Sequence, residues 1–167
     1  MLEKDSYVMY GDNGVCQVVD KRKQKFGTQY KEFYILKPVN NAASTFYVPT
    51  DNEALLTKMR DILTKDEVVA LIKEIADESL AWVDDNRERQ AMYDDIFKSG
   101  DRKELLLLIK SLYQHKQDRQ ADGKKLWTID ENAMKHAEKL VYEEFATVLD
   151  IQLDDVVPFI MDIIENK

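Results

Sequence analysis

The 167-residue chain carries 24 Lys and Arg against 32 Asp and Glu, a net charge of −8, and 44% of its residues are apolar. That apolar fraction is enough to build a core, which excludes a wholly disordered chain, and the negative charge argues against a protein that coats nucleic acid by bulk attraction. The longest aliphatic runs, residues 68–72 and 105–109, fall far short of the ~20 residues a membrane helix needs. The opening Met1-Leu2-Glu3-Lys4-Asp5 lacks the apolar stretch of a secretory signal. Cys16 is the single cysteine and has no internal partner, so a cytoplasmic location is expected.

The first fifty residues are rich in aromatics: Tyr7, Tyr10, Phe26, Tyr30, Phe33, Tyr34, Phe46 and Tyr47. Such side chains suit pleated, half-buried surfaces. A strand over residues 7–10 ends at Gly11-Asp12-Asn13-Gly14, a turn cluster. A second strand follows over 15–21. Lys25-Phe26-Gly27-Thr28 reads as a hairpin turn into a third strand over 31–37, and a fourth over 44–48 ends at Pro49. Short strands at close spacing predict a small antiparallel barrel.

After Pro49 the period becomes helical. Thr64-Lys65-Asp66-Glu67 is a capping box ahead of Val68, Leu71, Ile72 and Ile75. A second helix is expected over 79–98, with Gly100 in the left-handed position beyond its end. Asp101 with Glu104 caps a third, and Thr128 with Glu131 a fourth, with Ala133, Ala137, Leu140, Val141, Phe145 and Val148 inward. A last short helix follows Asp154-Asp155. Charge divides along the same line. Residues 1–59 hold 8 basic and 7 acidic side chains, whereas residues 60–167 hold 16 and 25. The acid collects in the last two helices and most of the Lys and Arg in the middle ones.

An enzyme finds little support. The chain has His115, His136 and Cys16, but no Cys-x-x-Cys, His-x-x-x-His or glycine-rich phosphate loop. A zinc site needs about four convergent ligands. Asp84-Asp85, Asp94-Asp95 and Asp154-Asp155 are neighbours only in sequence, and adjacent residues on a helix do not face each other. Residues 81–125 are more informative. There Arg87, Arg89, Lys98, Arg102, Lys103, Lys110, Lys116, Arg119, Lys124 and Lys125 are interleaved with Trp82, Tyr93, Tyr113 and, just beyond, Trp127. This reads either as an ordinary charged surface with aromatic core anchors or as a phosphate-contacting face with an aromatic able to wedge against bases.

Taken in order, these segments resemble the CarD family of bacterial RNA-polymerase-binding transcription regulators. The N-terminal part is similar to the module that also occurs in transcription-repair coupling factors. The resemblance rests on Tyr7-Val8-Met9-Tyr10-Gly11 with Gly14-Val15-Cys16-Gln17-Val18, on Glu32-Phe33-Tyr34-Ile35-Leu36-Lys37, and on Tyr47-Val48-Pro49-Thr50-Asp51-Asn52. It extends to Ser99-Gly100-Asp101, to Ala137-Glu138-Lys139-Leu140 and to Glu143-Glu144-Phe145-Ala146. It implies an α+β chain: a Tudor/SH3-like β-barrel over residues 1–52 that binds the polymerase β subunit, then an all-α domain of about five helices over 53–167 that meets promoter DNA at the upstream edge of the melted bubble.

In that family a basic residue ahead of the hairpin turn contacts polymerase. Here the place falls at Lys23, with Arg22 beside it. A second contact falls at Tyr47, and Tyr34 lies in the tyrosine-rich strand. A tryptophan of the family wedges into the minor groove. Counting back from Ser99-Gly100-Asp101, its place is held by Asn86, with Trp82 four residues earlier on the same helical face. The expected DNA contacts are therefore Trp82, Asn86, Arg87, Arg89, Lys98, Arg102 and Lys103. No catalytic residue, cofactor or metal is expected, and the chain is expected to be a monomer; the 10 basic and 9 acidic residues of 81–125 nearly cancel, so DNA binding without polymerase is expected to be weak. The alternative is an adaptor on polymerase that never touches DNA.

Overall fold

The computed structural model describes residues 2–41 and 43–166. The chain divides into two compact units, Met1–Leu63 and Thr64–Lys167.

The first unit is one antiparallel sheet. Its strands are β1 (Tyr7–Tyr10), β2 (Val15–Phe26), β3 (Gln29–Pro38), β4 (Phe46–Pro49) and β5 (Met59–Asp61), and a one-turn helix α1 (Glu53–Leu56) leads into β5. The hydrogen-bonded order is β4-β3-β2-β1-β5. The sheet is therefore open and does not close into the expected barrel. Its two ends are strands of four and three residues, while the length is concentrated in β2 and β3, whose outer halves leave the sheet as a two-stranded ribbon. A bulge between Val18 and Asp20 shifts the register where that departure begins. The ribbon turns at Gly27, whose φ of +63° a residue with a Cβ would resist. One face of the sheet buries Val8, Tyr10, Cys16, Val18, Tyr34, Leu36 and Val48, and Leu55, Leu56 and Met59 from α1 and β5 pack against them.

The second unit is all helical: α2 (Lys65–Ile75), α3 (Asn86–Ser99), α4 (Arg102–Ala121), α5 (Thr128–Leu149) and α6 (Val156–Glu165). Local signals set most of the boundaries. The Thr64 hydroxyl accepts from the Glu67 N–H at 3.1 Å. Asp101 accepts from the Glu104 N–H at 3.0 Å, and Gly100 closes α3 in the left-handed region at φ 64°. Two boundaries differ from expectation. The helix expected from residue 79 starts at Asn86, because Asp85 caps it with bonds of 2.9 Å from both the Arg87 and Glu88 N–H groups. Thr128 is the first residue of α5 and not its cap; Trp127 holds that position without a side-chain bond.

Helix α4 carries the core. Leu105, Leu106, Leu107, Leu108, Ile109 and Leu112 are all buried, and a turn apolar on every side belongs at the centre of its unit. Lys110 reaches from α4 to the end of α2, donating to the carbonyls of Ile75, Ala76 and Glu78 at 3.0, 3.0 and 2.6 Å. A cation there satisfies carbonyls that have no partner within their own helix.

Candidate protein and nucleic-acid interfaces

Because β4 ends the sheet, its outer edge presents unpaired backbone groups among the described residues. The middle of β3 is shielded from that role, since Phe33, Tyr34, Ile35 and Leu36 pair with β4 on one side and β2 on the other. Tyr47 stands on β4, opposite Ile35, and is 57% exposed. Arg22 and Lys23 lie exposed on the ribbon, with the Arg22 Nε donating to Asp20 at 2.7 Å. Tyr34 does not join them. It is 7% exposed, packed in the core under the Lys21 ammonium, so its ring offers nothing to a partner.

On the helical unit the residues expected to meet DNA part company. Arg89 is fully buried. Its Nε and Nη2 donate to Asp130 at 2.7 and 3.0 Å, Nη2 donates to the Asn86 side chain at 2.8 Å, and Nη1 donates to the carbonyls of Val83 and Asp84 at 3.0 and 3.3 Å. All five N–H donors of the fork thus have acceptors. The Tyr93 hydroxyl adds a 2.6 Å bond to Asp130. Burial first, and then that carboxylate, push the Tyr93 phenol well above its usual range. Arg89 is therefore a structural cation, and Asn86 is one of its anchors.

Trp82 is half-buried. Its indole stacks on His115 with centroids 3.7 Å apart and planes 18° off parallel, and the Arg89 guanidinium lies 4.6 Å from its centroid. Burial, helped by the Arg119 and Arg89 charges and opposed by Asp130, lowers the His115 pKa and favours its neutral form. Arg102 grips the buried Glu144 with two bonds of 3.0 and 2.8 Å, joining α4 to α5. Lys103 bridges Glu74 and Glu78 at 2.8 and 3.0 Å. Only Arg87 and Lys98 of the expected set are exposed cations without an ion pair among the described residues.

The second indole of the basic and aromatic stretch, outside the expected DNA contacts, stands closer to solvent. Trp127 is 43% exposed. The Arg119 guanidinium covers it at 4.0 Å and Arg89 approaches at 5.4 Å. Exposed Lys124 and Lys125 precede it in the loop between α4 and α5. Its place in a lysine-flanked loop was the available signal. Among the described residues, no group of three His, Cys, Asp or Glu is placed to hold a metal ion, and no helix is long and apolar enough to cross a membrane.

An exposed sheet edge beside a basic ribbon is the anatomy of a protein-binding module. Residues 2–62 match the family model described as the CarD-like/TRCF RID domain, and the match indicates an RNA-polymerase-interacting module in the N-terminal unit. No curated protein gives a significant match to the chain.

Proposed function

We propose that the chain is a non-enzymatic transcription regulator that docks on the β subunit of RNA polymerase through its N-terminal unit and touches promoter DNA through its helical unit. The reading is carried by one coincidence: the family match over residues 2–62 covers the compact unit Met1–Leu63, whose edge strand is open to a partner. Backbone pairing along β4 supplies affinity, and Tyr47 with Lys23 supplies selectivity. On the helical unit the DNA contact falls to Trp127, with Arg87, Lys98, Lys124 and Lys125 near phosphates. Trp82, Asn86 and Arg89 position that surface from behind, while Arg102 and Lys103 hold helices together. Contact with the melted promoter puts binding energy on one state of an equilibrium and so shifts it.

The test is capture of polymerase by the immobilised full chain. Tyr47→Glu and Lys23→Glu each weaken capture about tenfold or more, because each puts a carboxylate on the proposed contact surface and the desolvation of an unpaired charge is costly. Capture by both variants at the wild-type level overturns the β4 assignment. An adaptor that never touches DNA retains full capture and leaves promoter-complex lifetimes unchanged.

A further inference from the structure

The outer end of the β2–β3 ribbon has no part in edge pairing, yet its composition is unlike the rest of the molecule. Every residue from 21 to 31 is exposed. The segment holds five Lys and Arg and no Asp or Glu, in a chain of net charge −8. Two of the five are neutralised from its base: Lys21 lies 3.3 Å from Glu32 and Arg22 lies 2.7 Å from Asp20. Lys23, Lys25 and Lys31 have no ion pair among the described residues.

The register places an aromatic among these cations. Lys25 pairs with Tyr30 across the ribbon, and Lys23 pairs with Glu32 two residues back, so these four side chains share one face. Tyr30 is 71% exposed, the most exposed large hydrophobic side chain among the described residues. The Lys25 ammonium lies 6.0 Å from its ring centroid. Tyr30 buries too little there to support the fold. Phe26, 50% exposed, at least leans on Phe33 at 5.3 Å.

We infer that one face of the ribbon tip is a nucleic-acid contact, in which Tyr30 stacks on an unpaired base while Lys23 and Lys25 meet the flanking phosphates; Lys31, opposite Gln24, belongs to the other face. The lysines alone would serve an acidic protein surface equally well. The open ring decides for a single strand, because every base has a π-face and an aromatic set among cations holds unpaired nucleotides irrespective of sequence. This contact lies beyond the polymerase reading: it shares Lys23 with the proposed polymerase surface but is carried by Tyr30 and Lys25, and it is tested without polymerase.

The experiment needs no polymerase. Binding of the full chain to a fluorescent single-stranded oligonucleotide of about 20 nucleotides is followed by anisotropy at about 50 and about 150 mM salt. Two phosphate contacts on a single strand predict a fall in affinity of about fivefold over that threefold rise in salt. Tyr30→Ala weakens binding about fivefold or more and Tyr30→Phe retains it, since stacking and not the hydroxyl is at work. Lys23→Gln with Lys25→Gln removes most of the salt effect. All three positions are exposed, and an unchanged melting temperature checks that the fold is intact. Binding that is indifferent to Tyr30→Ala overturns the proposal. So does tighter binding of the matching duplex, or of a polyglutamate peptide. Repeating the titration in a Trp127→Ala background separates this contact from the helical one: the binding that remains there is the part Tyr30→Ala removes.

Discussion

A guanidinium with no access to water is tolerated only where all its donors are met, and Arg89 shows the condition fulfilled. Its partner Asp130 is equally buried and sits in the first turn of α5, where the unpaired N–H groups of the helix favour a negative charge. The pair sets the start of α5 against that of α3. Asp130→Asn keeps the shape but leaves the guanidinium with an uncompensated charge, and is expected to destabilise the chain by about 3–5 kcal/mol. A lowered urea midpoint at unchanged slope is the measurement that checks it, and a loss under about 1 kcal/mol would sink the assignment. Sequence could not reveal this role. Arg89 and Asp130 are 41 residues apart, and Arg102 and Glu144 are 42. Nothing in a local count of charges distinguishes a buried guanidinium from one that faces phosphate. What the sequence did show at this scale were contacts three residues apart, Thr64 to Glu67 and Asp101 to Glu104, because a cap is made by the chain with itself.

Elements were legible in the same measure. The aromatic strands and the turn at Gly27 follow from pattern alone. The short α1 and β5 do not: Glu53–Leu56 and Met59–Asp61 are too brief for any period to show. They matter to the unit nonetheless. β5 pairs with β1 through Val8, Met9 and Tyr10 and covers what would otherwise be a second open edge of the core strands. A fragment ending at residue 63 is therefore expected to unfold cooperatively on heating. One ending at residue 52 loses both β5 and the packing of Leu55, Leu56 and Met59, and is expected to melt without a sharp transition; circular dichroism of the two fragments tests this. The late start of α3 has the opposite cause. Residues 79–85 have no strong helix breaker, but the carbonyls of Val83 and Asp84 are turned toward Arg89. Tertiary hydrogen bonds, with the strong cap at Asp85, override propensity there.

At the scale of the molecule, charge limits what the helical unit can do alone. Its exposed cations are few, Asp94 and Asp95 lie on the same helix as Arg87 and Lys98, and the last two helices are acidic. Few phosphates are neutralised, so free-protein binding to duplex DNA is expected at a Kd of roughly 10⁻⁴ M or weaker at physiological salt. Docking on polymerase would raise the local concentration into the millimolar range and make such a contact count. The two indoles then separate by outcome. Trp127→Ala removes an exposed ring and is expected to shorten the lifetime of the melted promoter on polymerase severalfold, leaving stability and polymerase capture unchanged. The reason is that a partly unstacked base step costs about a few kcal/mol, which an inserted or abutting ring helps offset. Trp82→Ala removes the ring stacked on His115 and lying against Arg89, so its first effect is on folding, visible as a lower melting temperature. If Trp82→Ala leaves stability intact and shortens the lifetime, while Trp127→Ala changes nothing, the DNA-facing indole is Trp82 and the assignment to Trp127 is wrong.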